Sequence, residues 1–177
     1  MSAFDYESLI KDIPDYPEPG VVFKDVTPLF ADPVALKALI DDMADHFKGR
    51  GITKVVGAEA RGFLVGVPVA YCLGAGFVPA RKPGKLPRDV YRAEYALEYG
   101  TDVLEIHKDA LGPDDVVLVV DDLVATGGTS VATARLIEMS GAKIAGFSFL
   151  MELDFLHPRE TISEAYDQEV YTLVQVK

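Results

Sequence analysis

The chain has 177 residues, of which 49% are hydrophobic and 25% are charged, as expected for one globular domain with a substantial core. Its formal net charge of −11 and its pI of about 4.6 argue against nucleic acid or an anionic membrane as a partner, since such a surface repels both at long range. The first twelve residues carry acids and no long apolar run, so we expect no secretory signal and a cytoplasmic protein.

The single cysteine, Cys72, lies in the apolar run VAYCLG. It can form no intramolecular disulfide, and we expect it to be buried in a protein of a reducing compartment. Residues 62–80 carry no charge and approach the length of a membrane span, but their glycines and prolines divide them better into a loop, a buried helix and a strand.

Taken in chain order, the segments alternate between helix and strand patterns. Residues 1–30 contain a Pro-Gly turn and a short exposed strand, and residues 32–49 begin with an N-cap, Asp32, followed by Pro33 and helical apolar spacing. Further helices are predicted around 66–73 and 128–140, and strands at 54–58, 77–80, 116–121, 144–151 and 170–176. This pattern predicts a single α/β domain over 1–177, with a mainly parallel central sheet flanked by helices and a ligand site at the carboxyl ends of the strands.

Residues 81–107 fit that alternation less well and predict a projecting hairpin, here called the hood. Five basic residues fall within twelve positions at its start, which is unusual in so acidic a chain. They suit either an anion-binding loop or a solvated surface, and they are Arg81, Lys82, Lys85, Arg88 and Arg92.

The stretch VVDDLVATGGTS, residues 119–130, carries the strongest chemical signal. A strand ends at Asp121 and Asp122, and a loop of small residues leads into a helix, so backbone amides and the helix N-terminus could hold a phosphate. Neither the Walker spacing nor the dinucleotide-binding glycine spacing is present. An ordinary turn capped by Thr129 or Ser130 is the alternative.

Two adjacent carboxylates beside a phosphate would repel it by about 4 kcal/mol per close pair at an effective dielectric of 20. Sugar hydroxyls or a hard cation such as Mg²⁺ would relieve this repulsion, and both point to a phosphorylated sugar. A second strand end, GAEARGF at 57–63, could present Arg61 to an anion, although a solvated Arg61 paired with Glu59 fits the sequence equally well.

Six segments between residues 17 and 160 together resemble the type I phosphoribosyltransferases, and among them the members that use adenine. In order, they are PGVVFKDVTPLF, EARGFLVG, RKPGKLP, LEYGTDVLEIHKDAL, VVDDLVATGGT and MEL. The resemblance implies the fold of that family with its hood. It also implies transfer of phosphoribose from 5-phosphoribosyl-1-pyrophosphate (PRPP) to adenine, with Mg²⁺ as cofactor and a homodimer as the assembly. A transferase for guanine or hypoxanthine, and a non-catalytic protein that senses PRPP, are the alternatives.

The resemblance also implies roles for residues on the sugar side. Asp121 and Asp122 would meet the ribose hydroxyls, which requires the chain to turn at Asp122, because neighbouring strand residues point to opposite faces. The 5′-phosphate would lie against Leu123, Val124, Ala125, Thr126, Gly127, Gly128 and Thr129. The pyrophosphate would be held by Glu59, Ala60, Arg61 and Gly62, together with Arg81, Lys82 and Lys85 from the hood.

On the base side, the resemblance implies that Phe23 and Leu153 cover the two faces of adenine, while backbone groups of Val22 and Lys24 read its edge. Glu98 and Tyr99 would close over the site, with Glu98 handling the proton on the imidazole ring of the base. Arg61, Glu98 and Tyr99 are thus the expected catalytic residues. The three histidines have no spacing typical of metal ligands.

Overall fold

The computed structural model describes residues 4–96 and 101–177. Its centre is a five-stranded parallel sheet with strand order β4-β3-β7-β8-β9, and each strand predicted for the sheet is confirmed. These strands are β3 (Lys54–Ala58), β4 (Gly76–Ala80), β7 (Val116–Val124), β8 (Lys143–Leu153) and β9 (Val170–Val176). The helices are α1 (Thr27–Ala31), α2 (Pro33–Phe47), α3 (Gly62–Leu73), α4 (Gly128–Met139) and α5 (Pro158–Ser163).

The apolar strands are long and continuous because both faces of the sheet are covered. Along β7, Val117 and Val119 join the hydrophobic cluster beneath α4, while Leu118 and Val120 join the cluster beneath α2 and α3. All four side chains are at most 3% exposed. The predicted α/β domain with a parallel sheet is therefore confirmed.

Helix α2 forms as its sequence predicts. The Asp32 carboxylate accepts hydrogen bonds from the backbone N–H groups of Val34 (2.8 Å) and Ala35 (2.9 Å), and Pro33 occupies the first helical position. The apolar stripe of the helix, which includes Met43 and Phe47, is fully buried against the sheet.

Helix α3 differs from the prediction in two respects. It begins at Gly62 rather than near residue 66, and only one of its faces is buried. Val65 and Val69 face the core, whereas Tyr71 on the outer side is 87% exposed. The prediction that Cys72 is buried is wrong: it is exposed because it follows Tyr71 onto this outer face, where the apolar sequence pattern does not distinguish the two sides.

Two antiparallel hairpins flank the sheet. The N-terminal hairpin joins β1 (Lys11–Pro14) to β2 (Val22–Asp25), and the hood joins β5 (Val90–Ala96) to β6 (Thr101–His107). Backbone hydrogen bonds between Arg81 and Glu105 attach the start of the hood segment to β6. Glu98 and Tyr99 lie outside the described residues. Within residues 4–96 and 101–177, every helix is too short or too polar to cross a membrane.

Candidate functional site

A cavity of about 230 Å³ opens at the carboxyl ends of β3 and β7, the edge at which parallel sheets bind ligands. Two loops form most of its wall, one following β3 and one following β7. The hood closes a third side with Lys82, Tyr95 and Leu104. The loops contribute Ala58, Glu59, Ala60 and Arg61, together with every residue from Asp121 to Ser130.

The two acids at the end of β7 both line this cavity, although the strand continues to Val124 and does not turn at Asp122. Asp122 is only 3% exposed. Its Oδ2 atom lies 3.1 Å from Nε of Arg61, an ion-pair contact that does not meet hydrogen-bond geometry, so this buried oxygen has no hydrogen-bond partner among the described residues. A ligand hydroxyl that donates to this oxygen would supply the missing hydrogen bond.

The surroundings of Asp121 disfavour its ionised form. Burial, and then the neighbouring carboxylate of Asp122, raise the pKa of Asp121 well above its ordinary value. Its Oδ1 accepts a hydrogen bond from the backbone N–H of Asp122 at 2.9 Å. A Cβ at Gly62 would come within 2.7 Å of this oxygen, so only glycine fits beside the acid. Sugar hydroxyls or a cation would relieve the repulsion in this pair.

The loop after β7 ends at a helix terminus without a side-chain cap. Helix α4 begins at Gly128, its N-cap is Gly127 with φ +88°, and no side chain of the described residues makes a capping hydrogen bond there. The alternative of a turn capped by Thr129 or Ser130 is therefore wrong. The first N–H groups of α4 remain available to an anion, which the helix dipole also favours.

Gly127 is also a contact point. A Cβ at this position would lie 3.0 Å from the carbonyl oxygen of Pro158 and 3.2 Å from Cβ of Thr161. The loop after β7 therefore packs directly on the start of α5.

The loop after β3 contains a cis peptide bond between Glu59 and Ala60. The alternative that Arg61 pairs with Glu59 is not observed, because Arg61 turns toward Asp122 and the Glu59 carboxylate binds Nε of Arg81 at 2.6 Å. Desolvation is the largest single influence on Glu59 and opposes its ionisation. The hydrogen bond from Arg81, a backbone hydrogen bond at Lys82 and the positive charges of Arg81 and Lys85 together outweigh it, so the pKa of Glu59 is lowered. The guanidinium of Arg61 also lies 5.8 Å from the centre of the Phe23 ring.

The basic residues of the hood separate into different environments. Lys82 lines the cavity, where its ammonium group contacts the carboxylate of Asp102 and lies 3.2 Å from the hydroxyl of Tyr95. Arg81 is engaged with Glu59, and Lys85 is exposed and outside the cavity wall. Of the three hood residues predicted to hold the pyrophosphate, only Lys82 thus faces the cavity directly.

The residues predicted to bind a base lie beside this cavity rather than in its wall. Val22, Phe23 and Lys24 form β2, where the Phe23 ring packs edge-on against Tyr16 at 5.3 Å, and Leu153 is the last residue of β8. Ser130, Tyr95 and Leu104 line the cavity but were not predicted. The strand register of the hood, which the sequence pattern does not reveal, determines that Tyr95 and Leu104 face inward.

The acid pair also bears on metal binding. Across residues 4–96 and 101–177, no group of three or more histidine, cysteine, aspartate or glutamate side chains could hold a metal ion by itself. Asp121 and Asp122 both line the cavity instead, and their carboxylates offer hard oxygen ligands there. This arrangement fits Mg²⁺, which is usually bound by one or two carboxylates together with substrate phosphates and water.

Comparison with known proteins identifies one group of relatives. The family model of the phosphoribosyl transferase domain matches residues 29–171. The adenine phosphoribosyltransferase of Aeromonas salmonicida is 57% identical over 150 residues, which cover 85% of this chain and 83% of the relative.

Two crystal structures extend the similarity to the whole fold. The adenine phosphoribosyltransferase of Thermoanaerobacter pseudethanolicus is 46% identical with a TM-score of 0.92, covering 97% of this chain and 98% of its own. The enzyme of Giardia lamblia, complexed with 9-deazaadenine, is 41% identical with a TM-score of 0.93, covering 100% and 99%.

Proposed function

Because the chain belongs to the adenine phosphoribosyltransferase family, we infer that it is an enzyme of purine salvage. It transfers the phosphoribosyl group of PRPP to adenine and releases AMP and pyrophosphate. The observation that carries this conclusion is the cavity that combines the Asp121–Asp122 pair with the uncapped N-terminus of α4. A ligand with both hydroxyls and a phosphate, such as PRPP, satisfies both features.

The ribose hydroxyls would donate to Asp121 and Asp122, whose mutual repulsion in the free protein makes them good acceptors. The 5′-phosphate would lie against the backbone N–H groups from Ala125 to Thr129. In this arrangement the sugar would lie between the 5′-phosphate and the two acids, Asp121 and Asp122, which reduces their repulsion.

The pyrophosphate would lie between the loop after β3 and the hood. Arg61 and Lys82 both line the cavity and carry the positive charge that a leaving pyrophosphate needs. The ion pair of Glu59 with Arg81 supports this loop from behind. Breaking the bond at C1 of the ribose develops positive charge on the sugar and negative charge on the leaving group, so Arg61 would stabilise the transition state more than the ground state.

Adenine would bind at the Phe23 side of the cavity, because the Phe23 ring lies beside Arg61 and thus beside the leaving group. Leu153 would cover the other face of the base, and Val22 and Lys24 would read its edge through the backbone. Glu98 and Tyr99 lie outside the described residues, and their roles in closing the site and moving a proton stay predictions from the sequence. Mg²⁺, held mainly by PRPP oxygens with Asp121 and Asp122 beside it, would supply additional charge neutralisation.

The proposed homodimer is supported by an unpaired apolar stripe on α3. Leu64, Val67 and Tyr71 recur at helical spacing and are 54%, 48% and 87% exposed. Replacing Tyr71 with glutamate is expected to shift a dimer toward monomer in sedimentation velocity. Replacing Met139 with glutamate on α4, where the methionine is 49% exposed, is the matched control and should leave the mass unchanged. A protein that is monomeric before any substitution would contradict the proposal.

The reaction is tested by incubating the purified protein with PRPP and Mg²⁺ and, separately, adenine, hypoxanthine or guanine. Chromatography of the products should show AMP from adenine and no nucleotide from the other two bases. Product from guanine or hypoxanthine alone would keep the transferase and reject the assignment of the base. Binding of PRPP without any product would instead indicate a sensor.

Omitting Mg²⁺ tests the metal requirement. Addition of EDTA should abolish product formation, and excess Mg²⁺ should restore it. Full activity in EDTA would reject the role proposed for the two acids in metal binding. The predicted cytoplasmic location, and the prediction that neither nucleic acid nor a membrane is a partner, continue to rest on composition and charge.

A further inference from the structure

An ion pair with a buried carboxylate lies behind the site, between Glu152 and Arg159, whose side chain is 40% exposed. Glu152 is 0% exposed, and each of its carboxylate oxygens is 2.9 Å from Nε of Arg159. The hydroxyl of Thr172 donates to Oε2 at 3.1 Å, and the Gln175 amide donates to it at 3.3 Å. Arg159 also donates from Nη1 to the carbonyl oxygen of Val170 at 2.6 Å. The guanidinium thus connects α5 to both β8 and β9.

The segment between the two partners spans the two halves of the proposed site. Its first residue, Leu153, follows Glu152 directly and is the proposed wall of the base site. Its last residue, Pro158, packs its carbonyl oxygen on Gly127, in the proposed phosphate loop. In the strand register, Glu152 also pairs with Val124, which lines the cavity. Movement of this segment would therefore displace both halves.

We propose that Arg159 is a positioning residue: by holding α5 to Glu152, it sets Leu153 and Gly127 at a fixed distance and so aligns the base with the sugar phosphate. That the two sub-sites hold adenine and the sugar phosphate of PRPP rests on the proposed function. The geometric part, one ion pair controlling two loops, does not depend on it.

A charged group is a costly way to fill a buried space. Desolvation of the Glu152 carboxylate offsets much of its attraction to the half-exposed Arg159, and well-packed neutral residues are often as stable. What the guanidinium offers instead is a planar fork that fixes the angle and the distance of its partner. The pair therefore contributes orientation more than stability, which is what two facing sub-sites require.

The decisive variant is the double substitution Glu152→Gln with Arg159→Met. It leaves no uncompensated buried charge, and the glutamine retains polar atoms for Thr172 and Gln175. Stability is measured by thermal unfolding, PRPP binding by calorimetry without adenine, and KM and kcat by AMP formation. We expect unfolding close to that of the unmodified protein, and about ten-fold increases in both the Kd for PRPP and the KM for adenine, since a displacement near 1 Å is enough for such losses.

Two further variants calibrate this result. Arg159→Lys keeps the positive charge but not the planar fork, and it should raise the Kd for PRPP and the KM for adenine by a smaller factor than the double variant does. Arg50→Met removes another arginine–glutamate pair, with Glu169, near the amino-terminal edge of the sheet, and should change neither constant. Should the double variant fail to fold, Thr172→Val removes only the hydroxyl that accepts from Arg159 and donates to Glu152. Because the Nε contacts between the two partners remain, we expect the Kd for PRPP and the KM for adenine to rise by only about three-fold.

A folded double variant with both constants within two-fold of the unmodified protein would overturn the proposal. If the double variant does not fold, an unchanged Kd for PRPP and KM for adenine in Thr172→Val would overturn it as well. A change in only one of these two constants would also overturn it. Failure of the proposed function would look different, since the unmodified protein would then form no AMP while PRPP binding could still report on the ion pair.

Discussion

Replacing Gly127 with alanine should damage the proposed phosphate loop in two separable ways. The residue has φ +88°, in the left-handed region that only glycine adopts without cost. The new Cβ would also lie 3.0 Å from the carbonyl oxygen of Pro158 and 3.2 Å from Cβ of Thr161. The first effect concerns the backbone alone, and the second requires α5 to move.

The magnitude follows from adding the two effects. The left-handed conformation costs an alanine about 1–2 kcal/mol, of which about 0.4–1 kcal/mol is offset because alanine restricts the unfolded chain. Overpacking against Pro158 and Thr161 adds roughly 1–3 kcal/mol. The sum is about 3 kcal/mol of unfolding free energy, or a decrease of about 9 °C in Tm for a chain of this size.

Gly49 provides the matched control. It has φ +79°, and a Cβ there would meet nothing within 4 Å, so Gly49→Ala reports the backbone effect alone, at about 1 kcal/mol. Because the chain contains no tryptophan, unfolding is best followed by far-UV circular dichroism in urea. The Kd for PRPP, measured by calorimetry, should rise at least about ten-fold for Gly127→Ala and stay unchanged for Gly49→Ala. Equal losses of stability in the two variants would refute the role of the contact with α5.

Three further changes test the site. Asp121→Asn should stabilise the free protein at pH 7 while abolishing AMP formation. Because the folded-state pKa of Asp121 is raised, its favourable contribution to stability is complete below the unfolded value of 3.8 and is lost as the pH rises through the folded value, and asparagine removes this cost. A lower urea midpoint for the variant at pH 7 would contradict this. Glu59→Gln should destabilise the protein above pH 4.5, because it removes the ion pair with Arg81. Since the folded-state pKa of Glu59 is lowered, the difference in unfolding free energy should shrink below pH 4.5 and disappear as the pH falls through the folded-state pKa, as measured in urea titrations. A difference that stays constant down to pH 3 would contradict this prediction. Phe23→Ala should raise the KM for adenine about ten-fold without changing the Kd for PRPP, since stacking on the base contributes about 1.4 kcal/mol. Tyr16→Ala removes a ring that only supports Phe23 and should raise the KM for adenine by a smaller factor.

Local sequence determined the central sheet and much of the site. Apolar runs, several of them continuous, predicted the five strands, and their alternation with helical patterns predicted a mainly parallel sheet covered on both faces. Asp32 and Pro33 likewise specify the start of α2, because capping and the fixed φ of proline act within one turn. The small-residue loop from Ala125 to Thr129 similarly predicts an anion site, since small residues between a strand and a helix leave the backbone N–H groups accessible.

Tertiary structure alone decided which charges meet. Arg61 pairs with Asp122 rather than with its near neighbour Glu59, because the two loops come together only through the β3–β7 pairing. The opposite faces of α3, one buried and one exposed at Cys72, are equally apolar in sequence and differ only in what packs against them. Glu152 lies in the segment MEL, but no motif marks Arg159, and their pairing appears only when α5 packs beside β8 and Gly127. Contacts between residues distant in the chain are set by the packing of whole elements, and no local pattern encodes them.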